Sequence, residues 1–304
     1  MVTPPHNAGP EGAGEPDSGQ PNAGQPNPGP AKPGQRNTGD ENARLEQIKR
    51  SWQQKRQITD RLADVQTKIG IYSGKGGVGK TTVSVNLAVT LAKEGNKVGL
   101  LDVDIDCPNV TKVLGISDKP DYEDGQIIPA EKWGVKVVSM AFFQEKEEEA
   151  IIWRGPMIHN AINQFLQITQ WGKLDYLLVD LPPGPSDSPL TVMQTLPMDG
   201  FVVVSTPQEL ANIDAKRCIN MIRKLNLNVL GVVENYAGEI FGEGAGKDLA
   251  KEVDAPFLGT MALRGSYRDS SKPTALADAE VGEEYATVAD NMRKSLREFG
   301  RSAA

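Results

Sequence analysis

The chain has 304 residues, 38% of them hydrophobic and 24% charged, which is enough apolar material for one substantial core and one or two domains. A formal net charge of −7 excludes a chain-wide electrostatic grip on nucleic acid, which would need a basic footprint. No apolar run approaches the roughly 20 residues that span a bilayer, the start of the chain lacks a basic-then-apolar signal, and two cysteines are too few for a disulfide framework. A cytoplasmic protein with no stable membrane association is therefore expected.

From His6 to Asp40 the chain falls into seven pentapeptides with glycine fourth in each (Gly9 through Gly39), and no large apolar residue follows Val2 there. Nothing in it offsets the entropy of ordering, so residues 1–40 are expected to be a disordered tail. Residues 41–66 carry Leu45, Ile48, Trp52, Ile58, Leu62 and Val65 at mostly three- and four-residue spacing. That predicts an amphipathic helix docked on the following domain, with a basic polar face of Lys49, Arg50, Lys55, Arg56 and Arg61. From residue 67 to 304, strand-like and helix-like segments alternate: KIGIYS, the helical TTVSVNLAVTLAKEG, KVGLLDVDI, VKVVSMA, DYLLVDLP, GFVVVST, the helical QELANIDAKRCINMIRKL, NVLGVVEN and APFLGTM. Nearly continuous apolar strands between helices predict an α/β fold, a doubly wound, mostly parallel sheet covered on both faces. At the end of the chain Val281, Tyr285, Val288, Met292, Leu296 and Phe299 form one helical stripe whose mixed-sign polar face favours packing on the domain over an anionic bilayer.

Gly74-Lys75-Gly76-Gly77-Val78-Gly79-Lys80-Thr81 satisfies G-x-x-x-x-G-K-[ST] between the first strand and the first helix. Glycines there let backbone N–H groups converge on phosphate oxygens, and the helix presents its positive end to the same charge. Lys80 is expected at the β- and γ-phosphates of ATP, and the Thr81 hydroxyl on Mg²⁺. Asp180 ends the strand DYLLV before Leu181-Pro182-Pro183-Gly184, the place for a carboxylate that holds the metal directly or through water. Asp102, Asp104 and Asp106 alternate at the end of the second strand, so they cannot all point one way.

"SGKGGVGKTT", with Lys75 as well as Lys80, resembles the deviant Walker A signature of the MinD/ParA-type P-loop ATPases, in which the first lysine crosses to a nucleotide on a second subunit; a nucleotide-sandwich homodimer is implied. "WRGPMIHNAINQFL" (153–166), residues 171–222 and "GVVEN" (231–235) resemble the Mrp (ApbC-type) family of iron–sulfur cluster carrier ATPases, with client apoproteins as partners. The resemblance implies a catalytic set of Lys75 acting in trans, Lys80, and Asp104 positioning the attacking water. It implies a nucleotide held by Gly74, Gly76, Gly77, Val78, Gly79, Lys80, Thr81 and Thr82, with the Gly184 N–H on the γ-phosphate and the Asn235 amide on the adenine edge. Mg²⁺ would be held by Thr81, Asp102 and Asp180.

The chain departs from that family at one place. Relatives carry a C-x-x-C pair after the late asparagine, and two such pairs in the dimer are taken to hold one bridging cluster; here the stretch reads NYAGEIFGEGAG. Clusters need thiolates, which Glu239 and Glu243 cannot replace. Cys107, in the loop after Asp106, and Cys218, in register with Ile222 and Leu225 on a helix, are the remaining cysteines, each read more readily as a small packed residue than as a cluster ligand. An ATP-dependent iron–sulfur carrier is thus the first reading, and an ATP-gated dimeric switch with no cluster of its own the second.

Overall fold

The structure is a computed structural model that describes residues 46, 49, 52, 53, 55–143, 155–269 and 271–302; the pentapeptide tail expected over 1–40 lies outside the described residues. Glu46–Ala304 forms one compact unit. The described residues between 46 and 61 lie in helix α1. There follow β1 (Val65–Ser73), α2 (Lys80–Lys93), β2 (Val98–Asp102), α3 (Val110–Leu114), β3 (Asp121–Glu123), β4 (Gln126–Ile128), β5 (Ala130–Lys132), β6 (Val135–Ser139), α4 (Gly155–Ile168), β7 (Leu174–Asp180), α5 (Asp187–Thr195), β8 (Gly200–Ser205), α6 (Glu209–Lys224), β9 (Val229–Ala237), α7 (Ala245–Glu252), β10 (Phe257–Ala262), α8 (Thr274–Ala277) and α9 (Ala279–Ser302).

Eight strands form one sheet in the order β10-β9-β8-β1-β7-β2-β6-β5, parallel throughout except where β5 returns beside β6. Successive side chains of a strand enter opposite layers, which is why these strands read as continuous apolar runs. On β7, Leu177 and Val179 join Ile58, Trp171 and Phe201 in the core under α4 to α7, while Leu178 joins Leu87, Leu100 and Tyr285 under α2 and α9. Helix α9 seats Val281, Tyr285, Val288 and Met292 in that second core with no exposed area. The mostly parallel, doubly wound α/β sheet expected from the strand pattern is the sheet observed.

The N-terminal boundary differs from the expectation. Helix α1 stops at residue 61, a turn occupies 62–64, and Val65 opens β1 instead of closing the helix. Among the described residues, docking is seen at the end of the helix, where Ile58 of α1 and Leu62 of the turn are buried, whereas Trp52 is 73% exposed. Alternation by three and four residues cannot register this, because Val65 satisfies the helical stripe and the strand pattern equally. The short strands β3 to β5 and the helices α5 and α7 were not expected from the pattern; each is too short to repeat its period more than once or twice.

Strand register then assembles the site. Ile71 of β1 pairs with Asp180 of β7, and Asp102 of β2 pairs with the same Asp180. Three neighbouring strands therefore end together, at the carboxyl edge where open α/β sheets bind ligands.

Candidate nucleotide and metal site

The loop from Gly74 to Gly79 leaves the end of β1 and feeds α2 at Lys80. Gly77 and Gly79 hold left-handed φ angles of 80° and 81°, conformations that a side chain disfavours. Gly74 is required by contact: a Cβ there would lie 2.2 Å from the backbone carbonyl carbon of Asp214, where α6 passes the loop. Helix α2 has no side-chain N-cap, so its first N–H groups and its dipole remain available to an anion.

Behind the loop a dense polar cluster surrounds Asp180, which is wholly buried. The Thr81 hydroxyl donates to Asp180 Oδ2 at 2.7 Å and the Ser84 hydroxyl to Oδ1 at 2.6 Å. Lys80 Nζ lies 2.9 Å from Asp180 Oδ1 and 3.8 Å from Asp104 Oδ2. Burial works against the Lys80 charge, yet Asp180 and Asp104 hold its pKa above the ordinary lysine value. Thr81 and Asp180 together offer hard oxygen donors of the kind Mg²⁺ prefers, so the residues fit that ion. Lys75 is half-buried at the rim and donates to Gln208 Oε1 at 3.3 Å.

The three alternating carboxylates separate into three roles. Asp102 is wholly buried and saturated: Oδ1 accepts from the Asp104 N–H, and Oδ2 accepts from Ser139 Oγ at 2.9 Å and the Val110 N–H at 3.2 Å. Burial and the neighbouring Asp180 push its pKa up, while Lys80, Ser139 and the Asp104 N–H hold it back. Asp102, expected on the metal, instead organises the loop into α3 because both its oxygens are taken by internal donors, and Thr81 and Asp180 are the groups left for a metal. Asp104 lines an open cavity of about 490 Å³ between the phosphate loop, Pro183 and Tyr236. Burial lifts its carboxyl to about 6 against the opposing pull of Lys80. Asp106 is exposed.

Two expected nucleotide contacts are arranged differently. The Gly184 N–H, expected on the γ-phosphate, donates to the Ser73 carbonyl at 2.9 Å, and the Tyr72 hydroxyl donates to the Gly184 carbonyl at 2.7 Å. Asn235, expected to meet adenine, has no exposed area; its Nδ2 donates to the Val78 carbonyl at 2.8 Å, and its Oδ1 is buried with no partner among the described residues. The side chain points beneath the phosphate loop because β9 runs on through Asn235 and Tyr236 to Ala237, placing Asn235 under Gly79. Its neighbour Tyr236 reaches the cavity instead and sits beside Thr82.

The glycine-rich stretch after β9 is a tight turn and a helix start. Gly238 and Gly242 exchange N–H···O bonds of 2.9 and 2.7 Å. The Glu234 carboxylate then accepts from the Gly244 N–H at 2.9 Å and the Gly246 N–H at 2.7 Å. An internal carboxylate thus occupies the positive end of α7, so no phosphate is cradled there. Cys107 is exposed at the nucleotide cavity, whereas Cys218 is buried beside Tyr72, its thiol pushed up to about 11 by burial. Ser84, Glu234, Tyr72 and Tyr236 were missed by the sequence reading. Only Ser84 left a trace, standing one helical turn after Lys80.

The family model described as NUBPL iron-transfer P-loop NTPase matches residues 64–296. An iron-sulfur cluster carrier protein of Methanocaldococcus jannaschii is 41% identical over 252 residues, covering 78% of this chain and 87% of that protein. Among solved structures, a nucleotide-binding protein of Archaeoglobus fulgidus in complex with ADP is 36% identical with a TM-score of 0.63, covering 76% of this chain and 93% of that one. The cell division ATPase MinD of Pyrococcus furiosus, 23% identical with a TM-score of 0.60 over 76% of this chain and 99% of its own, shares the fold. The phosphate loop, its buried lysine–aspartate cluster and these matches converge: the chain belongs to the NUBPL iron-transfer P-loop NTPase family.

Proposed function

We propose that the chain is a Mg²⁺-dependent ATP hydrolase that works as a homodimer in iron–sulfur cluster transfer, with apoproteins as its clients. The observation that carries this is the placement of Lys80 between Asp180 and Asp104, with the Thr81 hydroxyl on Asp180, at the open end of α2. The α2 N–H groups and Lys80 neutralise phosphate charge. Mg²⁺ held by Thr81 and Asp180 would polarise the phosphate oxygens. Asp104, its carboxyl near 6, orients the attacking water and accepts its proton at neutral pH. Lys75, whose side chain has no acidic partner among the described residues, completes the partner copy's site.

Among the described residues of one copy, no ligand set for the cluster, as cargo, is gathered. Cys107 is exposed, Cys218 is buried, and the described residues contain no group of three or more His, Cys, Asp or Glu side chains able to hold a metal ion. That observation favours the second reading, an ATP-gated dimeric switch that recruits its partner without a cluster of its own. Phosphate release with and without Mg²⁺ tests the shared part, and tight ATP binding by Lys80→Ala would overturn the site assignment. Anaerobic reconstitution with iron and sulfide separates the readings. A stoichiometric cluster lost on Cys107→Ala or Cys218→Ala supports the carrier; no bound iron supports the switch.

A further inference from the structure

We infer that Tyr236 is a positioning residue that holds the Val78–Gly79 peptide of the phosphate loop in the orientation that receives an anion, a role that rests on the nucleotide site proposed above.

Strand β9 alternates until its last residues. Val232 joins the core under α4 to α7, and Glu234, on the same side, takes the Gly244 and Gly246 N–H groups at α7. Val233 joins the opposite core, under α2 and α9, and Asn235 follows it to the phosphate loop. Strict alternation would send Tyr236 back to the α7 side. Instead Tyr236 has a left-handed φ of 60°, and its side chain arrives beside Asn235 at Gly79. Among the described residues, the other non-glycine residues with positive φ, Asp124, Trp133, Asn226 and Asp254, lie in turns, whereas Tyr236 lies inside a strand. A bulky residue in that conformation is an outlier that its surroundings must hold, and such strain gathers at sites of function.

What the strained backbone secures is contact with the loop. A Cβ at Gly79 would lie 2.6 Å from the Tyr236 hydroxyl and 2.8 Å from its ring Cζ, so the ring tip rests on bare glycine backbone. The Thr82 side chain faces the same hydroxyl from the first turn of α2. From beneath, Asn235 Nδ2 holds the Val78 carbonyl at 2.8 Å.

A trans peptide is planar, with its N–H opposite to its C=O. With the Val78 carbonyl fixed under the loop, the Gly79 N–H is turned the other way, toward the cavity that Gly79, Lys80 and Thr81 line. That N–H has no acceptor among the described residues. Turning the peptide over requires Gly79 to change φ, a freedom that glycine has at little steric cost. The ring tip against Gly79 takes that freedom away. The effect runs through the loop and not through the nucleoside, so it acts alike on any ligand that presents a phosphate chain.

Calorimetric titration of the full-length chain with ATP and with inorganic tripolyphosphate, both in Mg²⁺, is the test. Wild type is expected to bind both. Tyr236→Gly, which relieves the strained φ and removes the ring, is expected to weaken both ligands alike by roughly tenfold or more, the loss of one hydrogen bond to a charged group. Tyr236→Phe keeps the ring on Gly79 and is expected to restore both affinities to within about threefold of wild type. Urea unfolding confirms that the variants fold, and Tyr236→Asn, which tolerates the same φ, takes the place of the glycine variant if that one does not. A wild type that binds neither ligand overturns the nucleotide reading and this inference with it. A wild type that binds ATP but not tripolyphosphate, glycine and phenylalanine variants of equal affinity, or a loss confined to ATP overturns this inference alone.

Discussion

Asp104 carries opposite demands. The residue is 5% exposed and its pKa is lifted by burial from an ordinary 3.8 to about 6. A carboxyl raised in the folded state binds protons that the unfolded chain has already released, so its contribution to stability is intact below the ordinary value and is lost as pH rises from there through about 6. Asp104→Asn is therefore expected to stabilise the nucleotide-free protein at pH 7 by roughly 1–3 kcal/mol, an advantage that shrinks toward pH 4, measured by urea unfolding at both values. The same variant should still bind ATP while phosphate release slows by about 10²–10⁴-fold, the range typical for a lost general base. The two cysteines differ as sharply. Cys107 is exposed, whereas the Cys218 thiol is buried and raised to about 11. Iodoacetamide at pH 8 should label Cys107 alone in the native protein, read by peptide mass mapping, and ATP should slow that labelling because the residue lines the nucleotide cavity.

At the scale of elements, function depends on how closely backbones approach. A methyl group at Gly74 would meet the α6 backbone at Asp214, and no side-chain rotation relieves a clash with backbone. Gly74→Ala should displace the phosphate loop and weaken ATP binding by roughly tenfold or more, read by fluorescence titration, as a 1 Å misplacement near a reacting group does. Glu234 secures a different junction, where β9 turns into α7. With Glu234→Gln both glycine N–H groups lose a charged acceptor and one of them faces an amide NH2 donor instead, and the expected destabilisation is about 1–3 kcal/mol in urea unfolding.

For the whole molecule, α9 is the long clamp that covers one face of the sheet through Tyr285 and Met292, both without exposed area. Met292→Ala should cost about 2–4 kcal/mol of stability by urea unfolding, as cavities in well-packed cores do. No helix among the described residues is long and apolar enough to cross a membrane. Much of this was legible in the sequence. Continuous apolar strands dictated a two-sided sheet, the glycine pattern dictated the phosphate loop, and the missing cysteine pair was plain in NYAGEIFGEGAG. These features are local: a period, a spacing or a steric need is complete within a few residues. The tertiary structure alone decided which groups those features meet. Ser84 reaches Asp180 from 96 positions away and Asn235 reaches Val78 from 157, so Asn235 lies beneath the loop instead of against a base. Gly184 faces Ser73, and Glu234 fills the end of α7, for the same reason. Partners of that kind follow from which strand ends lie side by side, and strand order is a property of the packed sheet, not of any segment within it.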